Sequence, residues 1–129
     1  MIIGIGIDLC DARRIKQSVD RFGDRFLNRI YTPDEQAHAA KAARTDLSLA
    51  KRFAAKEAVA KAFGTGVRGF FYVDIEVVTG PLGQPRVLLH GGAADTLRGL
   101  LPDGKEAHIH LSLSDEDPYA TAYALIEAR

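Results

Sequence analysis

The segment MIIGIGIDL, residues 1–9, alternates isoleucine at positions 3, 5 and 7 with Gly4, Gly6 and Asp8. A two-residue period is typical of a β-strand, whose side chains point alternately to its two faces. One face of the predicted strand is therefore apolar, and the other is almost bare until Asp8 ends it. Because glycine allows close approach, we expect a helix or a ligand to contact the bare face beside the Asp8 carboxylate.

The longest helical pattern runs from about Asp46 to Phe63 and stops at the sequence Gly64-Thr65-Gly66. A helical projection places five apolar residues on one broad face, with Glu57 in the middle of that face. These five are Leu49, Ala50, Phe53, Ala54 and Ala60. A buried, ionised carboxylate is costly unless it is paired or bound to a cation, so the position of Glu57 requires a compensating charge.

Two compensating charges are compatible with the sequence. Lys61 lies one helical turn after Glu57, at the spacing of an ordinary Glu–Lys pair. Alternatively, Glu57 and Asp8 converge on a magnesium ion, which proteins commonly bind through one or two carboxylates together with waters and substrate phosphates. Both interpretations remain open at this point.

Basic residues on the same helix favour a phosphate-bearing ligand. Arg52, Lys56 and Lys61 lie along the helix, and the turn at residues 64–66 offers backbone N–H groups at its end. The turn is weak evidence alone, since glycine after a helix is usually a C-cap.

The rest of the N-terminal half predicts two further helices. A basic helix is predicted from about Ala12 to Phe22, closed by Gly23, and another begins near Pro33. Thr32 is predicted to be the N-cap of the second helix, with Glu35 completing a capping box.

Four later strands are predicted to form two hairpins, residues 72–79 with 85–90 and residues 108–114 with 119–127. A small helix, residues 92–101, connects the hairpins. The row Ala120, Ala122 and Ala124 is small enough for a helix to pack closely on the last strand. The prediction is an α+β fold: a largely antiparallel sheet with the long helix packed on it and helices on one side.

Composition limits the function classes. A chain of 129 residues with 47% hydrophobic content suits a single small domain, residues 1–129. The 17 basic and 17 acidic residues give no net charge, which argues against nucleic-acid or membrane partners. Bases do outnumber acids between Asp11 and Ile30, which indicates either an acidic partner or a solvated helix face.

Cysteine and histidine usage excludes other kinds of site. Cys10 is the only cysteine, so no intramolecular disulfide and no thiolate zinc cluster can form, and we expect a buried structural thiol in a reducing compartment. The four histidines show no metal-ligand spacing. The apolar run Met1–Ile7 lacks a basic leader and is too short to span a membrane, which favours the cytoplasm.

Two segments together resemble the signatures of the holo-acyl-carrier-protein synthase family, the short phosphopantetheinyl transferases. The first is GIGIDL, residues 4–9, followed by Arg14-Ile15, and the second is RFAAKEAVAKAFGTG, residues 52–66. The similarity extends along the chain to three shorter motifs. These are Tyr31-Thr32 with Glu35, Gly83-Gln84-Pro85, and Ser112-Leu113-Ser114.

The resemblance implies a transfer reaction and its site. A serine hydroxyl of an apo acyl carrier protein attacks the β-phosphorus of coenzyme A, which releases adenosine 3′,5′-bisphosphate, and the reaction supports fatty acid biosynthesis. Asp8 and Glu57 match ligands of Mg²⁺, with Mn²⁺ as an alternative, and Lys61 matches a catalytic residue near the pyrophosphate. The coenzyme A site implied by the matching motifs is Arg52, Lys61, Gly64, Gly83, Pro85 and Ser112.

The resemblance also implies partners. Arg14 matches the helix on which the acidic carrier protein docks, and Arg21 and Phe22 are placed to extend that surface. A homotrimer with active sites between subunits is implied as well.

One departure stands out: Asp115 follows Ser-x-Ser where the family usually has histidine. The acceptor of the serine proton is therefore open among Glu57, a metal-bound water and Asp115. Two rival interpretations remain. One is a binding module without turnover, and the other is a structural protein with a simple Glu57–Lys61 pair.

Overall fold

The computed structural model describes all 129 residues. Five strands and five helices follow one another in the order β1 (Ile2–Asp11), α1 (Ala12–Phe22), α2 (Asp24–Ile30), α3 (Pro33–Ala40), α4 (Thr45–Ala62), β2 (Ile75–Thr79), β3 (Pro85–Leu89), α5 (Gly91–Leu100), β4 (Ala107–Glu116) and β5 (Tyr119–Ala128). A short 3₁₀ helix, Tyr72–Asp74, precedes β2.

Most predicted elements are confirmed to within one or two residues, and so is the α+β class. Two differ. Helix α2 was not predicted, because only Gly23 separates its seven residues from α1. The strand predicted from Tyr72 begins at Ile75, since residues 72–74 form the 3₁₀ helix. The capping box at the start of α3 is present, with Thr32 and Glu35 bonding each other's backbone N–H groups.

The strands form two antiparallel sheets rather than one. The larger sheet has the order β1-β5-β4, and β2 and β3 form a separate hairpin. In the larger sheet Asp8 lies beside Ala122, which in turn lies beside Leu113. Helix α4 covers the face that carries these three residues, and a single core of 24 buried residues lies between the helices and the sheets.

The bare face of β1 is the face that contacts α4, as its glycines predict. A Cβ atom on Gly4 would lie 1.9 Å from the carbonyl oxygen of Ala62, and one on Gly6 would lie 1.9 Å from that of Ala58. Ala122 on β5 is also buried against the helix. Strand and helix backbones therefore touch directly, which places the side chains of α4 next to the end of β1.

The opposite face of the larger sheet carries exposed apolar side chains. Ile5, Ile7, Leu9 and Tyr123 are 57%, 61%, 67% and 42% exposed. No helix is long and apolar enough to cross a membrane. Cys10 is buried, as predicted, and burial raises the pKa of its thiol to about 11.

The helical projection of α4 was wrong about its buried charge. Lys56, not Glu57, is fully buried, and its Nζ donates to Glu35 Oε1 at 2.8 Å and to the carbonyl oxygen of Ile75. Glu35 is 1% exposed and also accepts from the backbone N–H of Val77. Because Lys56 is enclosed and paired, it does not belong to a phosphate-binding surface.

Candidate active site

Asp8, near the C-terminal end of β1, and Lys61, in the last turn of α4, are in contact. Lys61 Nζ lies 3.2 Å from Asp8 Oδ1 and donates to the carbonyl oxygen of Ile7 at 2.9 Å. The Asp8 side chain is only 16% exposed, whereas that of Lys61 is 50% exposed. Burial raises the pKa of the Asp8 carboxyl; the bond from Lys61 opposes this shift and the charge of Glu57 adds to it.

Glu57 has a neutral partner. Its Oε1 accepts a hydrogen bond from the hydroxyl of Tyr72, and no Glu57–Lys61 ion pair forms because Lys61 is engaged with Asp8. The Tyr72 ring packs on Phe53, with ring centroids 5.4 Å apart. Burial raises the pKa of the Tyr72 phenol, and the bond to Glu57 raises it further, so the hydroxyl remains the donor at neutral pH.

A cavity of about 280 Å³ joins the two carboxylates to helix α1. Asp8 and Glu57 both line it, and Arg14 lines the side formed by α1. Phe26 and Phe53 supply part of its apolar wall. The structure thus brings together the two predicted metal ligands and the predicted docking residue.

The donor set of this cavity fits a divalent cation with oxygen ligands. Asp8 and Glu57 are close enough for the charge of Glu57 to raise the pKa of Asp8, and a bound cation would relieve that repulsion. No group of three or more His, Cys, Asp or Glu side chains is placed to hold a metal ion. A magnesium ion here would thus have two carboxylate ligands, with water and phosphate completing its coordination.

A second cavity, of about 300 Å³, contains other predicted coenzyme A residues. Arg52, Gly83 and Pro85 line it together with His38 and Lys51. The side chain of Arg52 contributes little exposed surface, its Nε has no hydrogen-bond partner, and one terminal nitrogen donates to Ser48 Oγ at 3.2 Å.

The second cavity is positively charged. The charge of Arg52 lowers the pKa of His38, with smaller contributions from burial and from nearby lysines. A buried guanidinium with an unused donor is costly, which makes this cavity suited to an anion. Arg52 was predicted from the sequence, whereas His38 and Lys51 were not.

Asp115, the departure from the family pattern, forms an ion pair with Lys51. Their Nζ and Oδ2 atoms are 2.8 Å apart, and each side chain is about one-third exposed. Asp115 is therefore tied to the helix beside the second cavity, and its carboxylate is not free.

Other predicted residues lie outside both cavities. Ser112 lies beside Tyr123 on the exposed face of the larger sheet, whereas the adjacent Leu113 lies on the face that α4 covers. Gly64 has φ +84° and ends α4, and its N–H donates to the carbonyl oxygen of Lys61. Gly66 N–H is likewise bonded, to the carbonyl oxygen of Ala60. The amides of Gly64 and Gly66 therefore cap the helix, which is the ordinary role of glycine at this position, and a phosphate contact of Gly64 stays a prediction.

Arg21 and Phe22 are exposed at the end of α1, with the Arg21 guanidinium 5.1 Å from the centre of the Phe22 ring. Arg14 and Arg21 are seven residues apart and so share one face of the helix.

Tyr72 was not predicted as a site residue. The only sequence signal was a tyrosine at the polar positions of the YVDIEV alternation, shared with Asp74 and Glu76. Its contact with Glu57 depends on how the 3₁₀ helix packs on α4, which the local pattern does not determine.

Comparison with known proteins places this geometry in a family. The model of the 4′-phosphopantetheinyl transferase superfamily matches residues 4–124. A holo-acyl-carrier-protein synthase of Xanthobacter autotrophicus is 57% identical over 129 residues, covering 99% of this chain and 96% of the relative.

Solved structures agree with the sequence comparison. The crystal structure of holo-acyl-carrier-protein synthase from Neisseria meningitidis superposes with a TM-score of 0.86 at 38% identity, covering 98% of this chain and 99% of the other. The synthase of Bacillus anthracis, solved in complex with coenzyme A (3′,5′-ADP), gives a TM-score of 0.77 at 34% identity, covering 98% and 96%. The chain therefore belongs to the 4′-phosphopantetheinyl transferase superfamily, as a transferase of the holo-acyl-carrier-protein synthase family.

Proposed function

We propose that this protein transfers the 4′-phosphopantetheine group of coenzyme A to a serine of an apo acyl carrier protein, with Mg²⁺ or Mn²⁺ as cofactor. The products are the holo carrier protein and adenosine 3′,5′-bisphosphate, and the pathway served is fatty acid biosynthesis in the cytoplasm. The observation that carries the proposal is the shared cavity of Asp8 and Glu57, which opens beside the basic helix α1.

The reaction requires positioning and charge neutralisation more than covalent chemistry. A serine oxygen forms a bond to the β-phosphorus while the anhydride bond to the departing bisphosphate breaks. When bound, a divalent cation would neutralise charge on the pyrophosphate. Lys61, half exposed beside Asp8, is the residue of this chain that we assign to the phosphate oxygens.

The serine proton needs an acceptor, and we assign it to Glu57, either directly or through a water molecule. Two observations support this choice over Asp115. Glu57 lines the same cavity as Asp8, and Asp115 is already paired with Lys51.

The second cavity is our proposed site for the anionic nucleotide end of coenzyme A. The buried Arg52, with its unpartnered Nε, provides positive charge there, and Gly83 and Pro85 form part of the wall. Gly64 and Ser112 remain predicted contacts that lie outside this cavity. A homotrimer would allow residues of a second subunit to complete the site.

Intact-mass spectrometry of an apo acyl carrier protein tests the function. The carrier protein is incubated with coenzyme A, Mg²⁺ and this enzyme, with EDTA and Glu57→Ala as controls. We expect a mass gain of one phosphopantetheine that requires both the metal and Glu57. No gain with several carrier proteins, despite coenzyme A binding, would favour the binding module without turnover.

The role of Glu57 has a sharper test in Glu57→Gln, which keeps the shape of the side chain and removes its charge. Turnover and metal binding should both fall. If both persist at the wild-type level, Glu57 neither binds the cation nor accepts the proton.

A further inference from the structure

Tyr72 is fixed at three points beside the candidate metal site. Its carbonyl oxygen accepts a hydrogen bond from the buried Lys56 Nζ at 3.2 Å, its ring packs on Phe53, and its hydroxyl donates to Glu57 Oε1. The backbone, the ring and the hydroxyl of this tyrosine therefore each have a separate partner. All three partners lie on α4, where Lys56 and Glu57 are consecutive and Phe53 is about one turn earlier.

Glu57 and Asp8 are bound differently although they line one cavity. Asp8 is paired with the cationic Lys61, whereas Glu57 forms no ion pair, and its one hydrogen bond is to the neutral Tyr72 hydroxyl. A phenol can orient a carboxylate through one oxygen without cancelling its charge, while a lysine or arginine would compete with a bound cation. Oε2 of Glu57 accepts no hydrogen bond.

We propose that Tyr72 is a positioning residue of this site: its hydroxyl fixes the Glu57 carboxylate through Oε1 and leaves Oε2 as the oxygen available to a divalent cation. The inference rests on the proposed function and deepens it, because it assigns an outer partner to one of the two metal ligands. Carboxylates that bind metals are characteristically held in this way by a hydrogen bond from an outer partner.

Tyr72→Phe isolates the effect of the hydroxyl. The variant keeps the ring that packs on Phe53 and the carbonyl oxygen that accepts from Lys56, so it removes only the donor to Glu57. We expect Mn²⁺ affinity, measured by electron paramagnetic resonance with the metal alone, to fall by about 10- to 100-fold, the usual effect of losing an outer partner. The kcat of transfer should fall as well, with the KM for the carrier protein unchanged.

Tyr31→Phe is the matched control. Tyr31 is also buried against α4, but its hydroxyl donates to the carbonyl oxygen of Leu49 and contacts neither carboxylate. Loss of the Tyr31 hydroxyl should leave Mn²⁺ affinity unchanged even if it lowers the free energy of unfolding. A fall in Mn²⁺ affinity in both variants would instead indicate a general loosening of helix α4.

The possible failures can be told apart. Wild-type Mn²⁺ affinity in Tyr72→Phe would overturn the role of Tyr72 while leaving the proposed function intact, and so would an equal loss in Tyr31→Phe. A wild-type enzyme whose transfer is insensitive to EDTA would instead overturn the metal-assisted function, and the assignment of Tyr72 with it.

Discussion

Gly6 determines how close helix α4 comes to the end of β1. The carbonyl oxygen of Ala58 lies 1.9 Å from the position that a Cβ atom would occupy, and the N–H nitrogen of Ala62 lies 2.9 Å from it. Both are backbone atoms of a helix, so neither can rotate away as a flexible side chain would. The distance between Asp8 and the side chains of α4 therefore depends on the absence of a single methyl group.

Gly6→Ala should destabilise the protein by about 1–3 kcal/mol, the range for overpacking a well-filled core. We also expect transfer activity to fall, because the helix would be displaced from Asp8. Urea unfolding measures the first effect and the mass assay the second. Gly99→Ala is the control, since a Cβ there meets nothing within 4 Å and the position is helical; stability should be unchanged or higher. An equally stable Gly6→Ala would show that the backbones separate at little cost.

At the scale of elements, helix α1 carries the predicted docking surface of Arg14, Arg21 and Phe22. Arg14→Glu should raise the KM for the carrier protein by about tenfold, the effect of losing one charge-assisted contact. Coenzyme A affinity should remain nearly constant. Steady-state kinetics with each substrate varied in turn separates the two, and Arg98→Glu, on the exposed face of α5, is the control. Weaker coenzyme A binding with an unchanged KM for the carrier protein would contradict docking on α1.

Helices α3 and α4 and strand β2 are joined by the buried Glu35–Lys56 pair. Lys56→Met should lower the free energy of unfolding by about 3–5 kcal/mol, because it leaves Glu35 charged, buried and without its cation. The double variant with Glu35→Gln should recover part of that loss, since neither charge then remains. Urea unfolding measures both, and Lys41→Met, at an exposed position, should change stability by no more than about 0.5 kcal/mol. A single variant as stable as wild type would exclude a structural role for the pair.

The elements that could be predicted are those with local signals. The alternation of residues 1–9, the capping box of Thr32 and Glu35, and the two hairpins depend on neighbouring residues, and the structure confirms each of them. Two strong motifs gave the family and the two carboxylates that share the first cavity.

The contacts that could not be predicted are made by charged or polar residues far apart in the sequence. Lys56 reaches Glu35, Asp115 reaches Lys51, and Tyr72 reaches Glu57. A helical projection of α4 cannot tell which of two adjacent charges, at positions 56 and 57, is buried, because that depends on α3 and β2 packing against one side of the helix. The pairing of Lys61 with Asp8 likewise depends on the close contact of α4 with β1.

For the whole molecule, we expect the apolar face formed by Ile5, Ile7, Leu9 and Tyr123 to be the contact between copies of the chain in the proposed homotrimer. Ile7→Asp should convert the proposed trimer to monomers, because it places a charge in the middle of that apolar face. Light scattering at micromolar concentration measures the mass, and we expect transfer activity to be lost in parallel. Leu82→Asp is the control, since Leu82 is 92% exposed on the β2–β3 loop and away from the face. A monomeric wild type, or a trimeric Ile7→Asp, would contradict this arrangement.

The order of the strands in the larger sheet has a consequence for synthesis. β5 lies between β1 and β4, although it is made last of the three. While the chain is emerging from the ribosome, β1 lacks β5, the only strand with which it pairs. The backbone groups of this isoleucine-rich strand therefore remain without ladder hydrogen bonds. Pairing over so long a sequence separation is intrinsically slow, and unpaired apolar strands are prone to aggregate. We therefore expect the nascent chain to depend on a ribosome-associated chaperone until residues 119–128 are released.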